Sequence, residues 1–239
     1  MLEWLLASID PSRDHYINQA ISWHGRLMVS AWGILAPLAV LSARFFKVTP
    51  RQKWPQELDN ATWWRSHWIG QTAVFLFTIV GIYIVVDDFE PAVHPHGILG
   101  YLVLVGVSIQ VLFGIFRGSK GGPTAPGRDG TLHGDHYNMT PRRQLFEQVH
   151  KTLGYATIAL AAATILFGLW ITNSPRYFFI VILGFWVLLT IVFAVLQRLG
   201  WAIDTYQAIW GPDPIHPGNR RASPGWGMRT SGIKDESHH

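Results

Sequence analysis

The sequence predicts an all-α integral membrane protein, and three observations carry that expectation. Only 14% of the 239 residues are charged while 49% are hydrophobic, against about a quarter charged in a soluble domain. The deficit is concentrated in five long stretches almost free of charge, as membrane spans are. Basic residues gather in alternate connections between those stretches, as orientation in a bilayer demands. The length suits one domain.

The first element is short. Leu2, Trp4, Leu5, Leu6 and Ile9 predict a helix lying on the membrane surface, ended by Asp10-Pro11-Ser12. Glu3 and Asp10, with no basic stretch, argue against a secretory leader. The five apolar stretches then run from Ile21 to Phe46, Trp64 to Val86, His94 to Phe116, Val149 to Ile171 and Tyr177 to Leu196. Each reaches the roughly 20 residues that a helix needs to cross about 30 Å of hydrocarbon. Pro37 lies inside the first and is expected to kink it. The expected organisation is an interfacial segment over 1–20, a membrane domain over 21–197 and a Gly/Pro-rich basic tail over 198–239.

The connections set the orientation. Arg44, Lys47, Arg51, Lys53 and Arg65 flank the first connection. Arg117, Lys120, Arg128, Arg142 and Arg143 follow the third stretch, and Arg198, Arg220, Arg221, Arg229 and Lys234 lie in the tail. The opposite side carries Asp87, Asp88 and Glu90, with only Arg176 in its second short loop. The positive-inside rule puts the basic side in the cytoplasm, so the N-terminus is expected outside and the C-terminus inside, in a bacterial inner membrane. Trp23, Trp63, Trp64, Trp68, Trp170 and Trp201 fall near stretch ends, where amphipathic rings settle, whereas Trp32 and Trp186 are expected to pack mid-span. The loop from Gly118 to Thr140 reads as irregular, and the stretch from Gly211 to His239 as poorly ordered.

The chain has no cysteine. Disulfides, thiolate zinc sites, Cys-ligated iron–sulfur clusters and covalent c-type haem are therefore excluded. Any metal chemistry rests on the 11 histidines and the carboxylates. Four of those histidines, His24, His67, His96 and His150, stand at the beginnings of four successive apolar stretches. Because successive helices enter from opposite faces, His24 and His96 fall near the outer face and His67 and His150 near the inner one. Two imidazoles at each of two depths suit two bis-imidazole haem irons inside a bundle. A single histidine in a span is more often a hydrogen-bonded polar group than a ligand; the alternating pairs are what point to metal.

Glycines accompany the histidines. Gly100 and Gly154 follow His96 and His150 by four residues and share their faces, leaving room for the edge of a macrocycle. Gly81 lies fourteen residues after His67, and Gly114 and Gly168 lie eighteen after His96 and His150. At 1.5 Å per residue these offsets amount to about 21 to 27 Å, which brings the glycines level with the opposite pair. Close helix packing is the competing explanation for any one of them.

At these residues the chain resembles the cytochrome b561 family, of the ferric-chelate reductase 1-like and DOMON-associated type. The matching features are His24-Gly25 with Leu27-Met28, Trp32-Gly33, Pro37 and Ala43-Arg44, then His67 with Gln71, His96 with Gly100, Gln110 and Arg117, and His150 with Gly154-Tyr155. The resemblance spans about Ser22 to Leu196. It implies a four-helix di-haem core plus a fifth transmembrane helix, with two non-covalent b haems. His24 and His96 would hold the outer iron, and His67 and His150 the inner one. The chain departs from the six-helix members in having no helix before the core and no recognisable DOMON domain.

The expected function is transfer of electrons across the membrane between a reductant on one face and an acceptor on the other. A quinone-linked haem oxidoreductase, with a lateral pocket near Gln71 or Gln110, and a haem-containing membrane anchor or sensor for a soluble partner stand as alternatives. Expected partners are membrane lipid, a donor and acceptor drawn from ascorbate, quinol or a periplasmic redox protein, and a second copy of the chain, with no nucleic acid. His94 could tune or contact the outer haem. His133 and His136, in an HGDH run, could meet a donor or a metal, but read first as solvated loop residues. His15, His216, His238 and His239 carry no signal. Arg65, Lys151, Arg44 and Arg117 inside, and Arg26 outside, are candidate partners for haem propionates.

Overall fold

The structure, a computed structural model, describes residues 1–15, 17–86, 94–120, 132–221 and 225–231. Asp87, Asp88, Glu90, Arg128, Lys234, His238 and His239 lie outside the described residues. The expected fold class is observed. Among the described residues five helices are long and apolar enough to cross a membrane: α2 (Gln19–Phe45), α3 (Thr62–Val85), α4 (Pro95–Ile115), α6 (Pro141–Ile171) and α7 (Arg176–Arg198). The described residues also form three short α-helices, α1 (Leu2–Leu6), α5 (Asp135–Asn138) and α8 (Thr205–Trp210), and a 3-10 turn at Pro217–Arg220. Among the described residues there is no β-strand, only two isolated bridges.

Local chemistry starts these helices. The Asn18 side chain accepts the Ile21 N–H at 2.8 Å and caps α2. Thr140 accepts the Arg143 N–H at 3.3 Å, and Pro141 takes the first helical position of α6, where its missing donor is harmless. This cap starts α6 eight residues before the apolar stretch at Val149. His150 therefore stands nine residues inside its helix and not at its beginning. Hydropathy misses those first turns because they carry Arg142, Arg143 and Glu147.

The chain forms two compact units, and all five spans contribute to both. One unit comprises residues 1–39, 69–111 and 152–192. Its core is Ala31, Trp32, Ala36, Val74, Val103, Val107, Ala161 and Ile165. Trp32 is buried and donates from Nε1 to the Thr78 hydroxyl at 2.9 Å, so it packs mid-span as expected. Gly106 meets Thr157 so closely that a Cβ there would lie 2.6 Å from the Thr157 hydroxyl oxygen, which is why a glycine stands at that crossing.

The distortion of α2 has an identifiable form. Val29–Leu35 is π-helical, with the Ala36 N–H reaching back to the Ala31 carbonyl. The Gly33 carbonyl precedes Pro37 by four residues, and Pro37 has no N–H to offer it. Trp186 supplies the donor instead, Nε1 to Gly33 O at 3.0 Å. Trp186→Phe should therefore lower stability by about 1–3 kcal/mol through the lost donor to a sequestered carbonyl. Denaturant titration of the protein in detergent measures this, and an unchanged midpoint would show that water or backbone replaces the indole.

The N-terminal segment belongs to the same unit. It packs on the turn between α6 and α7. Arg176 donates to the carbonyls of Trp4 (3.1 Å) and Ile9 (3.3 Å) and sits over the Trp4 ring. The buried Asn173 amide donates to the carbonyls of Asp10 (2.9 Å) and Arg13 (2.6 Å). Leu2, Trp4 and Leu6 stay exposed on α1, in keeping with an interfacial helix.

The second unit comprises residues 40–68, 112–151 and 193–239. Its apolar centre is Met139, Tyr206, Ile209 and Trp210, with Trp63, Leu132 and Tyr137 against it. Two expectations fail here. The Gly118–Thr140 loop is not wholly irregular, since α5 lies within it. The stretch from Gly211 is ordered over its described residues 211–221 and 225–231. Asn219 donates to the carbonyls of Gly211 and Asp213, and Gln197 to that of Gly227. The Arg229 N–H donates to Ala202 O at 2.7 Å, and Arg44 donates to Trp226 O at 2.6 Å. Gly and Pro weaken regular structure without preventing a segment from being fastened by donors elsewhere in its unit, and composition does not register those donors.

Candidate functional site: two imidazole pairs

The four histidines meet two by two. His24 on α2 and His96 on α4 face each other in the first unit, ring centroids 6.0 Å apart at 80°. His67 on α3 and His150 on α6 face each other in the second, 6.1 Å apart at 82°. These are the alternate-helix pairs expected from topology. Two metal–nitrogen bonds of about 2 Å, plus about 1.1 Å from nitrogen to ring centre on each side, give about 6.2 Å. Both spacings therefore admit one metal ion between the rings.

In the first pair the second nitrogen of each ring is also assigned. His24 Nδ1 lies 2.9 Å from the Gly81 carbonyl, and His96 Nδ1 lies 3.0 Å from the Thr164 carbonyl. A carbonyl accepts only, so Nδ1 carries the proton and donates. Nε2 is left with its lone pair, which is the tautomer a metal ligand needs.

The glycines fall where the helical rise places them. A Cβ at Gly81 would come within 3.8 Å of His24 Nδ1 and collide with Met28, and one at Gly168 would come 2.9 Å from His96 Cε1. Gly81 and Gly168 thus let α3 and α6 pass close to the two rings. Gly100, one turn beyond His96, faces open space, as does Gly114, with nothing within 4 Å of an added Cβ. At Gly154 an added Cβ would stand in ordinary van der Waals contact with the Gln110 amide, 3.5 Å away. Gln71 donates to the Ala36 carbonyl at 3.4 Å, within the helix bundle of its own unit.

The second pair has a different surround. Phe146 stacks on His150, centroids 5.2 Å apart and 17° between planes, and the Arg143 guanidinium lies over Phe146. Glu147 is the hub of an ionic cluster that the sequence reading overlooked. Arg143 approaches it at 3.2 Å, Lys151 at 3.6 Å and Arg221 at 3.8 Å, and the His136 imidazole lies 3.9 Å away. Arg221 also binds both oxygens of the buried Asp204, at 3.0 and 2.7 Å. Lys47 is buried and donates to Ile203 O at 2.9 Å. Burial, reinforced by Lys151, pushes its ammonium down to about 7. The i, i+4 run of Arg143, Glu147 and Lys151 was readable as a helix-face motif; the arrival of Arg221 from the tail was not.

His136 is a correction. It is not a solvated loop residue but is 2% exposed, set edge-on to Tyr206 and Trp210. Burial first, then the positive charge of Arg143 and Arg221, hold its pKa well below the ordinary value, so it is neutral near pH 7. Of the proposed propionate partners, Lys151 and Arg44 are in ionic or hydrogen-bonded contacts within the second unit. Arg117 lies over Trp64, and Arg26 over Trp23.

Among the described residues no group of three or more His, Cys, Asp or Glu side chains converges on one point. Two facing imidazoles with no third protein donor suit a metal that arrives with its other ligands, as iron does in a macrocycle. Each pair fits that requirement by ring spacing, the first also by its tautomer and the open space at Gly100.

No family model matches the chain, and no solved structure does. Among curated proteins it is similar to ferric-chelate reductase 1 of Bos taurus, with 29% identity over 152 residues. It is 28% identical over 156 residues to the protein of that name from Homo sapiens. Each match covers 61% of this chain and 22% of the relative's length. A putative ferric-chelate reductase 1 homolog of Drosophila melanogaster is 27% identical over 100 residues. The chain is therefore an integral, multi-pass membrane protein, similar to ferric-chelate reductase 1 over three-fifths of its own length and about a fifth of the relatives' length.

Proposed function

We propose that this chain is a di-haem b-type cytochrome that carries electrons across the membrane. His24 and His96 hold one haem, and His67 and His150 hold the other. The observation that carries the reading is the meeting of four histidines from four spans as two facing pairs, each at iron-spanning distance. When bound, each haem supplies a one-electron Fe(III)/Fe(II) couple. The protein orients the imidazoles, fixes the tautomer at His24 and His96, and keeps bulk away from one ring edge at Gly100. With no cysteine in the chain, both groups are held non-covalently.

The relatives' name makes a ferric chelate the acceptor of first choice, on the face where the N-terminus lies. The loop charges orient that face outward and the tail toward the cytoplasm. A reductant on the other face then meets the basic segments that carry Lys47, Arg143, Lys151 and Arg221. The quinone-linked reading is less favoured, because Gln71 is hydrogen-bonded to Ala36 inside its own bundle. The test is a reduced-minus-oxidised spectrum with haem counted per chain, followed by acid-acetone extraction. Two haems per chain, both extractable, are expected; one haem, or haem left on the polypeptide, contradicts the reading.

A further inference from the structure

The rings of the first imidazole pair are oriented by backbone carbonyls. In the second unit a ladder of side chains on α6 leads from the His150 ring to the tail. Arg143, Phe146 and His150 stand at i, i+3 and i+7 and share one face of the helix. Phe146 lies nearly parallel to His150, 17° between planes with centroids 5.2 Å apart, as an offset stack. The Arg143 guanidinium lies over the Phe146 ring, 4.9 Å from its centre. A second row, Arg143, Glu147 and Lys151 at i, i+4 and i+8, shares Arg143 with the first. The tail joins the ladder there. Arg221 Nη1 lies 3.8 Å from Glu147, and its Nη2 holds both oxygens of the buried Asp204. Every step from Arg221 to His150 is a contact inside one compact unit.

Arg143 is not placed as a merely topological cation would be. A basic residue that only orients a membrane protein can sit in water, whereas the Arg143 side chain is 11% exposed. It is also the third residue of α6, where the positive end of the helix dipole disfavours a cation. Glu147 offsets that cost, and its own carboxylate is held by three cations, Arg143, Lys151 and Arg221. A guanidinium with a fixed carboxylate on one side and a ring against it keeps few rotamers. The Phe146 ring is confined in turn, and an imidazole stacked on a confined ring does not turn freely about its Cβ–Cγ bond. Groups that fix the ring orientation of a ligating histidine tune the metal it binds. A positive charge nearby favours the ferrous over the ferric state.

We propose that Phe146 is a positioning residue for the second site and sets the plane of the His150 ring. Arg143 holds Phe146 there and supplies positive charge beside the site, and Arg221 ties this support to the tail through Glu147. The inference rests on the di-haem reading above and names what controls the redox properties of the haem between His67 and His150. The step concerned is the one-electron Fe(III)/Fe(II) couple already assigned, with no bond made or broken, and the stack alters only its equilibrium. Loss of the guanidinium should lower the reduction equilibrium constant of that haem by about tenfold, the order expected for one partly screened unit charge close to a site, which is about 59 mV for one electron.

The test uses the full chain with its haems in detergent and reads each haem separately. Potentiometric titration gives the two midpoints. Electron paramagnetic resonance of the oxidised protein gives the largest g value of each haem, which depends on the angle between its two imidazole planes. The second-site signal is the one lost in His150→Ala and kept in His96→Ala. Phe146→Leu keeps bulk without a flat ring face, so it should shift the second-site g value and leave the first-site one in place, and Phe146→Tyr should restore it. Arg143→Gln should lower the second-site midpoint by the amount above, and Arg143→Lys should keep most of it. Arg221→Gln should shift the second-site g value in wild type but not in Arg143→Gln, because the contacts act in series. An unchanged second-site g value in Phe146→Leu overturns the proposal, as do equal shifts at both sites, which mark general loosening. Shifts from Arg143→Gln and Arg221→Gln that simply add overturn the link to the tail. Should Phe146→Leu shed its haem, the two arginine variants, which leave both rings in place, decide the matter by themselves. An oxidised wild type with no haem signal that depends on His150 refutes the di-haem reading. A signal that depends on His150 and ignores these substitutions refutes the stack alone.

Discussion

On the proposed di-haem reading, His96→Ala should lower the haem content from two per chain to one and should stop electron transfer across a sealed vesicle. The substitution removes one of two facing imidazoles, 6.0 Å from its partner, and leaves His24 opposite a void. It also removes the hydrogen bond from His96 Nδ1 to the Thr164 carbonyl. A ferric or ferrous iron with one protein ligand is held far more weakly than one with two, and a non-covalent group then washes out during purification. His67 and His150 belong to the other compact unit, with Phe146 packed on His150, so their site should keep its haem. His24→Ala should give the same residual spectrum as His96→Ala, and His67→Ala or His150→Ala the complementary one. Identical residual spectra from His24→Ala and His67→Ala would falsify the pairing. Loss of the same haem from His94→Ala, with His96→Ala retaining it, would move the ligand two residues along the chain.

The second large effect is on stability. Trp210 is 1% exposed, between Tyr137, Tyr206 and His136. Trp210→Ala should destabilise the protein by about 3–5 kcal/mol, the usual result of emptying a buried aromatic site. Trp210→Phe should behave differently. Among the described residues Trp210 Nε1 is buried with no hydrogen-bond partner, so its N–H is desolvated without compensation. Phenylalanine keeps most of the packing and deletes that donor, and the two effects offset to within about 1 kcal/mol. Urea or thermal titrations of the two variants, with haem absorbance as one probe and tryptophan fluorescence as another, separate these outcomes. A Phe variant as unstable as the Ala variant would mean that the indole nitrogen has a bound water or other partner.

Much of the architecture was legible because the bilayer simplifies it. A span must satisfy its backbone internally, so a long apolar run can only be a helix. That reasoning located all five spans and, through alternation of direction, which histidines meet. It also placed Gly81 and Gly168, since a rise of 1.5 Å per residue is enough to say which glycine comes level with which ring. It misjudged the start of α6, because polar turns that neutralise one another look like loop to a hydropathy argument. The same blindness made His136 a surface residue, although aromatic rings from the tail enclose it.

By itself the sequence determined the helical class, the five spans, the exclusion of thiolate chemistry and the alternate pairing of His24 with His96 and His67 with His150. All of these follow from period, length and residue type, which are local properties. Only the tertiary structure decided the ring spacings of 6.0 and 6.1 Å, the Nδ1 bonds to Gly81 and Thr164, and the convergence of Arg143, Lys151, Arg221 and His136 on Glu147. Each of those joins residues dozens of positions apart in the chain or needs their separation to within an ångström. Such contacts are fixed by how side chains from different helices and from the tail fill the space between them, and no single stretch of sequence contains that information.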